Sequence, residues 1–188
     1  MLTTSFLKEF RRITESNWGL QTLSPDVYGF QFQRGARWNP GISSGELTEY
    51  QRTVGFEFPT DCKKFLTEMN GTDLPTINVY GSCGEPSRTS VGVYSFPRDV
   101  ELIMQRIEDV NRNRAGITAD LAEQGFDLPR GAHLLPLFGH RYVVCGSDPV
   151  TSTVLSVVVH EVDAIVYADS LQKYLMREFL GETPSLSM

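Results

Sequence analysis

The sequence is poor in the residues on which most recognisable chemistry is built. Three cysteines and three histidines stand among 188 residues. Cys62, Cys83 and Cys145 are widely spaced, odd in number and form no CxxC pair. That argues against a disulfide framework and against a structural zinc site, and it fits a reducing compartment, so a cytoplasmic protein is expected. His133, His140 and His160 show no HxxxH or HExxH spacing, so no metal-binding pair on a helix is expected. The longest strongly apolar run is VLSVVV, residues 154–159, far short of the ~20 residues a membrane helix needs. At the N-terminus Lys8, Arg11 and Arg12 follow the apolar residues, the reverse of a secretory signal, so no export signal is expected. There is no internal repeat, no low-complexity tract and no regular βαβ alternation.

Hydrophobic residues make up 40% of the chain, charged residues 21%, and the net charge is −6. That is enough apolar side chain for a true core, and the length suits a single domain spanning 1–188. The charge is uneven. Residues 1–40 carry five basic against three acidic groups, whereas residues 131–188 carry three against six. An acidic body repels nucleic-acid phosphates, so direct nucleic-acid binding is not expected. The same charge attracts a basic partner and speeds the encounter. Many inert soluble proteins are equally acidic, so charge alone does not establish a partner.

Along the chain, Phe6, Leu7, Phe10 and Ile13 make the apolar stripe of a helix over about 5–16. Tyr28, Phe30 and Phe32 alternate with polar residues or glycine, as in a half-buried strand. GARWNPG reads as a loop. Ser43 and Glu46 have the capping-box spacing, and a helix follows through Tyr50 and Val54 to Gly55. In FEFPTDCKKFLTEMNG, residues 56–71, the residues Cys62, Phe65, Leu66 and Met69 form one apolar stripe, and Asn70-Gly71 is expected to end that helix and reverse the chain. Residues 72–96 are rich in Gly, Ser, Pro and Thr, with brief strands in a long irregular connection. PRDVELIMQRIEDVNRNR is a helix with Val100, Ile103, Ile107 and Val110 on its buried face. TADLAEQG is a shorter helix, closed by Gly125. LLPLFG, RYVVCG, STVLSVVVHE and AIVYA read as successive strands of one antiparallel sheet, with HEVDA as a tight turn. Leu171, Tyr174, Leu175 and Phe179 stripe a last helix that stops at Gly181, with Asp169 and Gln172 at capping spacing; residues 182–188 read as a frayed tail. The expected class is α+β, an antiparallel sheet with helices packed against it and a C-terminal helix closing the domain.

Few of these residues promise chemistry. Cys145 with His140 or His160 is the minimum for a thiolate nucleophile, but Cys145 shares a strand face with Val143 and reads as a core residue. YGSCGEPSR, residues 80–88, is glycine-rich, yet neither a GKS/GKT motif nor a helix pattern follows it, as a phosphate loop requires. In GHRYV, residues 139–143, Arg141 sits at a strand mouth, where it could clamp a carboxylate or brace a loop. No catalytic residue, cofactor or metal is expected.

Trp38 and Pro40, then Gly55, Pro59, Asp61, Phe65, Leu66, Asn70 and Gly71, resemble the SUKH superfamily of Smi/Knr cell-wall regulators and their bacterial relatives. LLPLFGHRYVV, VLSVVV and IVYADSLQKYL look like that family's strand run and closing helix, so the resemblance covers about residues 30–180. Met69 to Thr72, Tyr94 and Gly139 to Arg141 match a subset of it. Cys62 departs from the pattern where an aromatic is usual, and Gln51 where a Glu is common. The resemblance implies a compact α+β module without catalysis. It further implies an immunity protein that neutralises a polymorphic toxin, often a nuclease, by direct binding. A scaffold or regulatory protein with several partners is the alternative, and an enzyme using Cys145 a third. The partner expected on the first reading is a basic toxin domain. The residues expected at its interface are Trp38, Glu46, Glu49, Glu57, Asp61, Asp73, Tyr80, Glu85, Arg88 and Arg141, with the 72–96 loop.

Overall fold

The computed structural model describes residues 1–79, 88–146, 152–159 and 163–181, with the side chains of residues 88 and 89 outside that description. The order of elements is α1 (Thr4–Leu20), β1 (Gly29–Gln31), β2 (Trp38–Pro40), α2 (Ser44–Val54), α3 (Thr60–Glu68), β3 (Met69–Thr72), β4 (Thr76–Val79), β5 (Arg88–Ser90), α4 (Val100–Arg112), α5 (Arg114–Glu123), β6 (His133–Phe138), β7 (Arg141–Cys145), β8 (Val154–Val158), β9 (Asp163–Ala168) and α6 (Leu171–Leu180). The protein is α+β. Among the described residues no helix is long and apolar enough to cross a membrane.

A four-stranded antiparallel sheet, β6-β7-β8-β9, is the centre of the fold. Strands β6, β7 and β8 are apolar and buried at consecutive positions, and the reason is that both of their faces are covered, whereas the edge strand β9 leaves Ile165 exposed. On one face Leu135, Val143, Cys145 and Val154 join the larger cluster, with Leu171, Tyr174 and Leu175 of α6. On the other, Leu134, Tyr142, Val144 and Leu155 pack with Ile117 and Leu121 of α5. Helix α4 serves both sides: Ile103 and Ile107 belong to the first cluster and Val110 to the second. The expectation of helices packed against an antiparallel sheet therefore holds, and the helices lie on both of its faces.

Two smaller sheets lie earlier in the chain, β1-β4-β5 and β2-β3, both antiparallel. A bridge between Val93 and Phe138 connects the segment after β5 to the rim of β6.

Several helix ends follow the sequence directly. Ser43 Oγ accepts from the Glu46 N–H at 3.2 Å while the Ser43 N–H donates to the Glu46 carboxylate at 2.8 Å, the reciprocal capping box. Gly55 and Gly181 close α2 and α6 in the left-handed region that glycine enters without strain. Other boundaries differ. Helix α1 runs to Leu20, four residues past the expected end, because Trp18 is buried against Phe32 with ring centroids 4.2 Å apart. Helix α5 starts at Arg114, ahead of the TAD triplet. The cap of α6 is Ser170, whose hydroxyl accepts from the Lys173 N–H, while Asp169 pairs with the Lys173 ammonium at 2.6 Å. Of the HEVDA turn, residues 160–162 lie outside the described residues, as does the 182–188 tail.

Asn70-Gly71 does not end a helix. Helix α3 stops at Glu68, Met69 is already extended, and Asn70 and Gly71 are buried inside β3. The Asn70 amide donates to the Phe96 carbonyl at 2.6 Å and its oxygen accepts from the Phe96 N–H at 3.0 Å, so it acts as a two-point clasp on a segment 26 residues away. Gly71 holds φ +74°, and a Cβ there would stand 2.6 Å from Ser95 Cβ. The dipeptide that reads as a turn is selected instead by close packing of β3 against residues 93–96.

Candidate functional site

The outer face of α4 and the end of α2 border an open groove of about 720 Å³. Helix periodicity builds it. Val100, Met104 and Ile107 follow one another at i, i+4 and i+7 to form an apolar floor with Val54 of α2, while Glu101, Gln105 and Glu108 form a parallel polar rim. Met104 is one of the larger apolar side chains that remain exposed, at 38%. Glu108 is held by Arg112 at 2.9 Å, whereas Glu101 makes no ion pair among the described residues. The groove thus offers apolar surface between carboxylates. Its sequence signal was the exposed side of a helix whose buried side is more conspicuous.

The residues expected at an interface do not gather there. Trp38 is an interior residue: only 2% exposed, it donates from Nε1 to Thr14 Oγ1 at 2.8 Å and packs against Phe10, Phe65 and Phe179. Asp61 is buried as well, where its carboxylate accepts from the Leu2 N–H at 3.0 Å and ties the N-terminus to α3. Neither is available to a rim. Buried polar and aromatic groups of this kind need internal partners, and these two have them. Glu46 is exposed but committed to its capping box, and the bonds from Ser43 hold its carboxyl below the ordinary range. Glu49 lies 3.8 Å from Arg52 and Glu57 lies 2.6 Å from Lys63, both in solvent. Asp73 receives the N–H groups of Arg37 and Leu74 at 2.7 and 2.8 Å, so it organises its own turn and ties it to the segment before Trp38. Arg141 is largely enclosed, 3.3 Å from the Glu178 carboxylate, bonded to Ser156 Oγ at 2.7 Å and stacked 3.9 Å above the Tyr167 ring. Its partners are a carboxylate of α6 and side chains of β8 and β9, so within this chain it ties β7 to those elements. Tyr80 and Glu85 lie outside the described residues, as does the side chain of Arg88 on β5.

A second concavity, of about 200 Å³, lies where β1, the 90–94 segment, α4 and the β6–β7 turn meet. The Tyr94 hydroxyl donates to the Gly139 carbonyl at 3.1 Å, and the Arg106 guanidinium adjoins the same phenol. Burial raises the Tyr94 phenol's pKa although Arg106 opposes it. Burial also acts against the Arg106 charge, but the neighbouring Tyr94, Tyr142 and Asp109 outweigh it, and the guanidinium stays cationic. His140, beside the Phe30 ring, is pushed down to about 4 by burial and by the adjoining Arg141 cation. Its imidazole is therefore neutral through the physiological range. The sign for stability follows: a histidine depressed in the fold takes up protons more readily when unfolded, so this group weakens the fold as pH falls from 6.5 towards 4. Histidine titration followed by NMR is expected to show His140 unprotonated at pH 6; an ordinary midpoint near 6.5 would refute the burial described here.

The thiolate reading of Cys145 meets a physical obstacle. Its side chain is fully buried in the apolar cluster, its Sγ donates weakly to the Val143 carbonyl at 3.7 Å, and burial pushes its thiol well above the ordinary value. Cys62 is likewise buried and pushed up to about 12. Neither forms a nucleophile at neutral pH in this setting. His160 lies outside the described residues.

Comparison with protein-family models, with curated proteins and with solved structures finds no match to this chain.

Proposed function

We propose that this chain is a protein-binding module of the SUKH type, an immunity protein that neutralises a cognate toxin domain by seating a basic segment of it in the α2–α4 groove. The observation that carries the reading is the pairing of an apolar floor with a carboxylate rim. Met104, Val100 and Val54 supply area to be removed from water, while Glu101 and Glu108 select lysine or arginine on the occupant. The net charge of −6 supplies attraction at longer range. The reading is also supported by the succession of short helices, a late antiparallel sheet and a closing helix, which is the order the resemblance implies. The site differs from the interface expected from sequence, since it draws mainly on α4 rather than on residues 46–73 and the loop after them.

The test is co-expression with the toxic product of the adjacent gene. A stoichiometric complex and rescue of growth are expected. The double reversal Glu101→Lys with Glu108→Lys is expected to weaken that complex at least tenfold, an effect that shrinks as salt rises, because both substitutions are exposed and the fold tolerates them. Unchanged affinity in a folded double variant would exclude the groove. Failure to bind or rescue, with several unrelated proteins co-purifying instead, would favour a scaffold.

A further inference from the structure

The pocket between β1, α4 and the β6–β7 turn has features that a packing role leaves unexplained. Arg106 Nε is buried and has no hydrogen-bond partner among the described residues. A buried donor without an acceptor is unusual, and a charged one is costlier still. The guanidinium lines the pocket, and no carboxylate is among the described lining residues. Its helix neighbour Asp109 helps to hold the charge, as the Tyr94 phenol does, but lies 3.6 Å from Arg112 and leaves Nε unpartnered. The remaining walls divide into two kinds. Phe30, Leu102 and Val157 are apolar, whereas Tyr94 and Tyr142 present phenols and Asn78 an amide. The turn glycine is part of the construction: Gly139 holds φ +53°, and any Cβ there would enter the Phe30 ring.

The geometry points to a binding site for a small organic monocarboxylate, with the carboxylate on the Arg106 fork and an apolar body against Phe30 and Leu102. A guanidinium presents two parallel N–H donors to a carboxylate, and the Nε–H that lacks a partner is one of the donors used in that arrangement. One cation and apolar walls suit a monoanion with a hydrocarbon part better than a phosphate dianion, whose charge calls for several donors. The volume of about 200 Å³ is below the ~300–1,000 Å³ of sites for drug-sized molecules, which restricts the ligand to a small acid. His140 adds no competing charge at neutral pH because burial keeps it unprotonated. This site is separate from the α2–α4 groove and does not depend on the function proposed for that groove.

The probe is benzoate, with benzamide as its uncharged counterpart and inorganic phosphate as a plain anion, titrated at pH 7 and followed by amide and Arg Nε–H NMR. Benzoate is expected to shift the Arg106 Nε–H together with the Gly139 and His140 amides in a saturable way. Benzamide and phosphate are expected to bind at least about tenfold more weakly, since each lacks either the charge or the apolar body. Arg106→Met is expected to lower benzoate affinity about tenfold or more, and Arg106→Lys to retain part of it. Equal response to benzoate and benzamide would overturn the proposal, as would stronger binding of phosphate, no saturable shift, or full affinity in folded Arg106→Met. If Arg106→Met does not fold, the comparison of the three probes on the unaltered protein still decides the matter.

Discussion

Replacing Trp38 by alanine is expected to lower the free energy of unfolding by about 3–5 kcal/mol, the range for deleting a fully buried large aromatic. The indole is the hub of an aromatic cluster: its ring centroid lies 5.8 Å from that of Phe10, 5.3 Å from Trp18, 5.9 Å from Phe65 and 5.5 Å from Phe179. Those rings come from α1, α3 and α6, so one side chain joins three helices. Truncation leaves a void that rigid rings cannot collapse into, and it strips Thr14 Oγ1 of the Trp38 Nε1 donor. In a domain of this size each kcal/mol moves the midpoint of thermal unfolding by about 2–4 °C, so a fall of roughly 10 °C is expected by calorimetry. Trp38→Phe keeps most of the ring area and should cost about half as much or less. A residue on a binding rim would behave differently, with a stability change within about 0.5 kcal/mol and a loss confined to affinity. A Trp38→Ala variant as stable as the parent would refute the interior placement.

Gly41→Ala is expected to cost about 3 kcal/mol or more, at the upper end of what overpacking does. The obstacle is steric, since this glycine does not have a positive φ. A Cβ at residue 41 would fall within the Thr67 carbonyl and would stand 2.6 Å from the Glu68 nitrogen. These are backbone atoms at the end of α3, so no rotamer change relieves the contact. The same strap is held by the Ile42 N–H, which donates to the Leu66 carbonyl at 3.0 Å, one of the carbonyls that α3 leaves free at its C-terminus. To accept a methyl group the strap must lift off α3 and give up that bond. Denaturant unfolding should show the midpoint falling with little change in slope; a difference under 0.5 kcal/mol would mean that the strap is loose. Gly45→Ala is the matched control, because its nearest atom would be Ser43 Oγ at 3.9 Å.

Both variants fall in a stretch, GARWNPG, that looks like a loop. Pro40 and two glycines within seven residues suggest irregular, exposed chain. Yet Ala36, Trp38 and Ile42 are buried and Trp38–Pro40 pairs with β3. The glycine is there because two backbones touch, a reason that lies in α3 and so cannot be read from the loop itself. The reversed reading of Asn70-Gly71 has the same origin. An Asn-Gly pair has a strong local preference for turns, but Phe96 offers Asn70 both a donor and an acceptor, and Ser95 leaves no room for a side chain at residue 71. Tertiary contacts overrode the local preference.

The candidate sites divide in the same way. Glu101, Met104 and Glu108 lie on a helix that the apolar stripe of Ile103, Ile107 and Val110 announces, so their exposure follows from the sequence. That Val54 stands beside them does not. Arg106 is harder still. Its place in α4 reads as a partly solvated position, and the lack of a partner for its Nε among the described residues emerges only when Tyr94, Gly139 and Tyr142 arrive from distant parts of the chain.

The amino-acid sequence by itself determined the α+β class, the strand run from β6 to β9, the capped ends of α2, the glycine stop of α6, and the interior place of Cys145, because each rests on periodicity or on groups within a few residues of one another. Only the tertiary structure decided that Trp38 and Asp61 face inward, that Asn70-Gly71 belongs to a strand, and that a groove and a cationic pocket flank α4. Burial and hydrogen-bond partnership at those positions are set by residues 20 to 60 places away, and local pattern carries no record of contacts at that range.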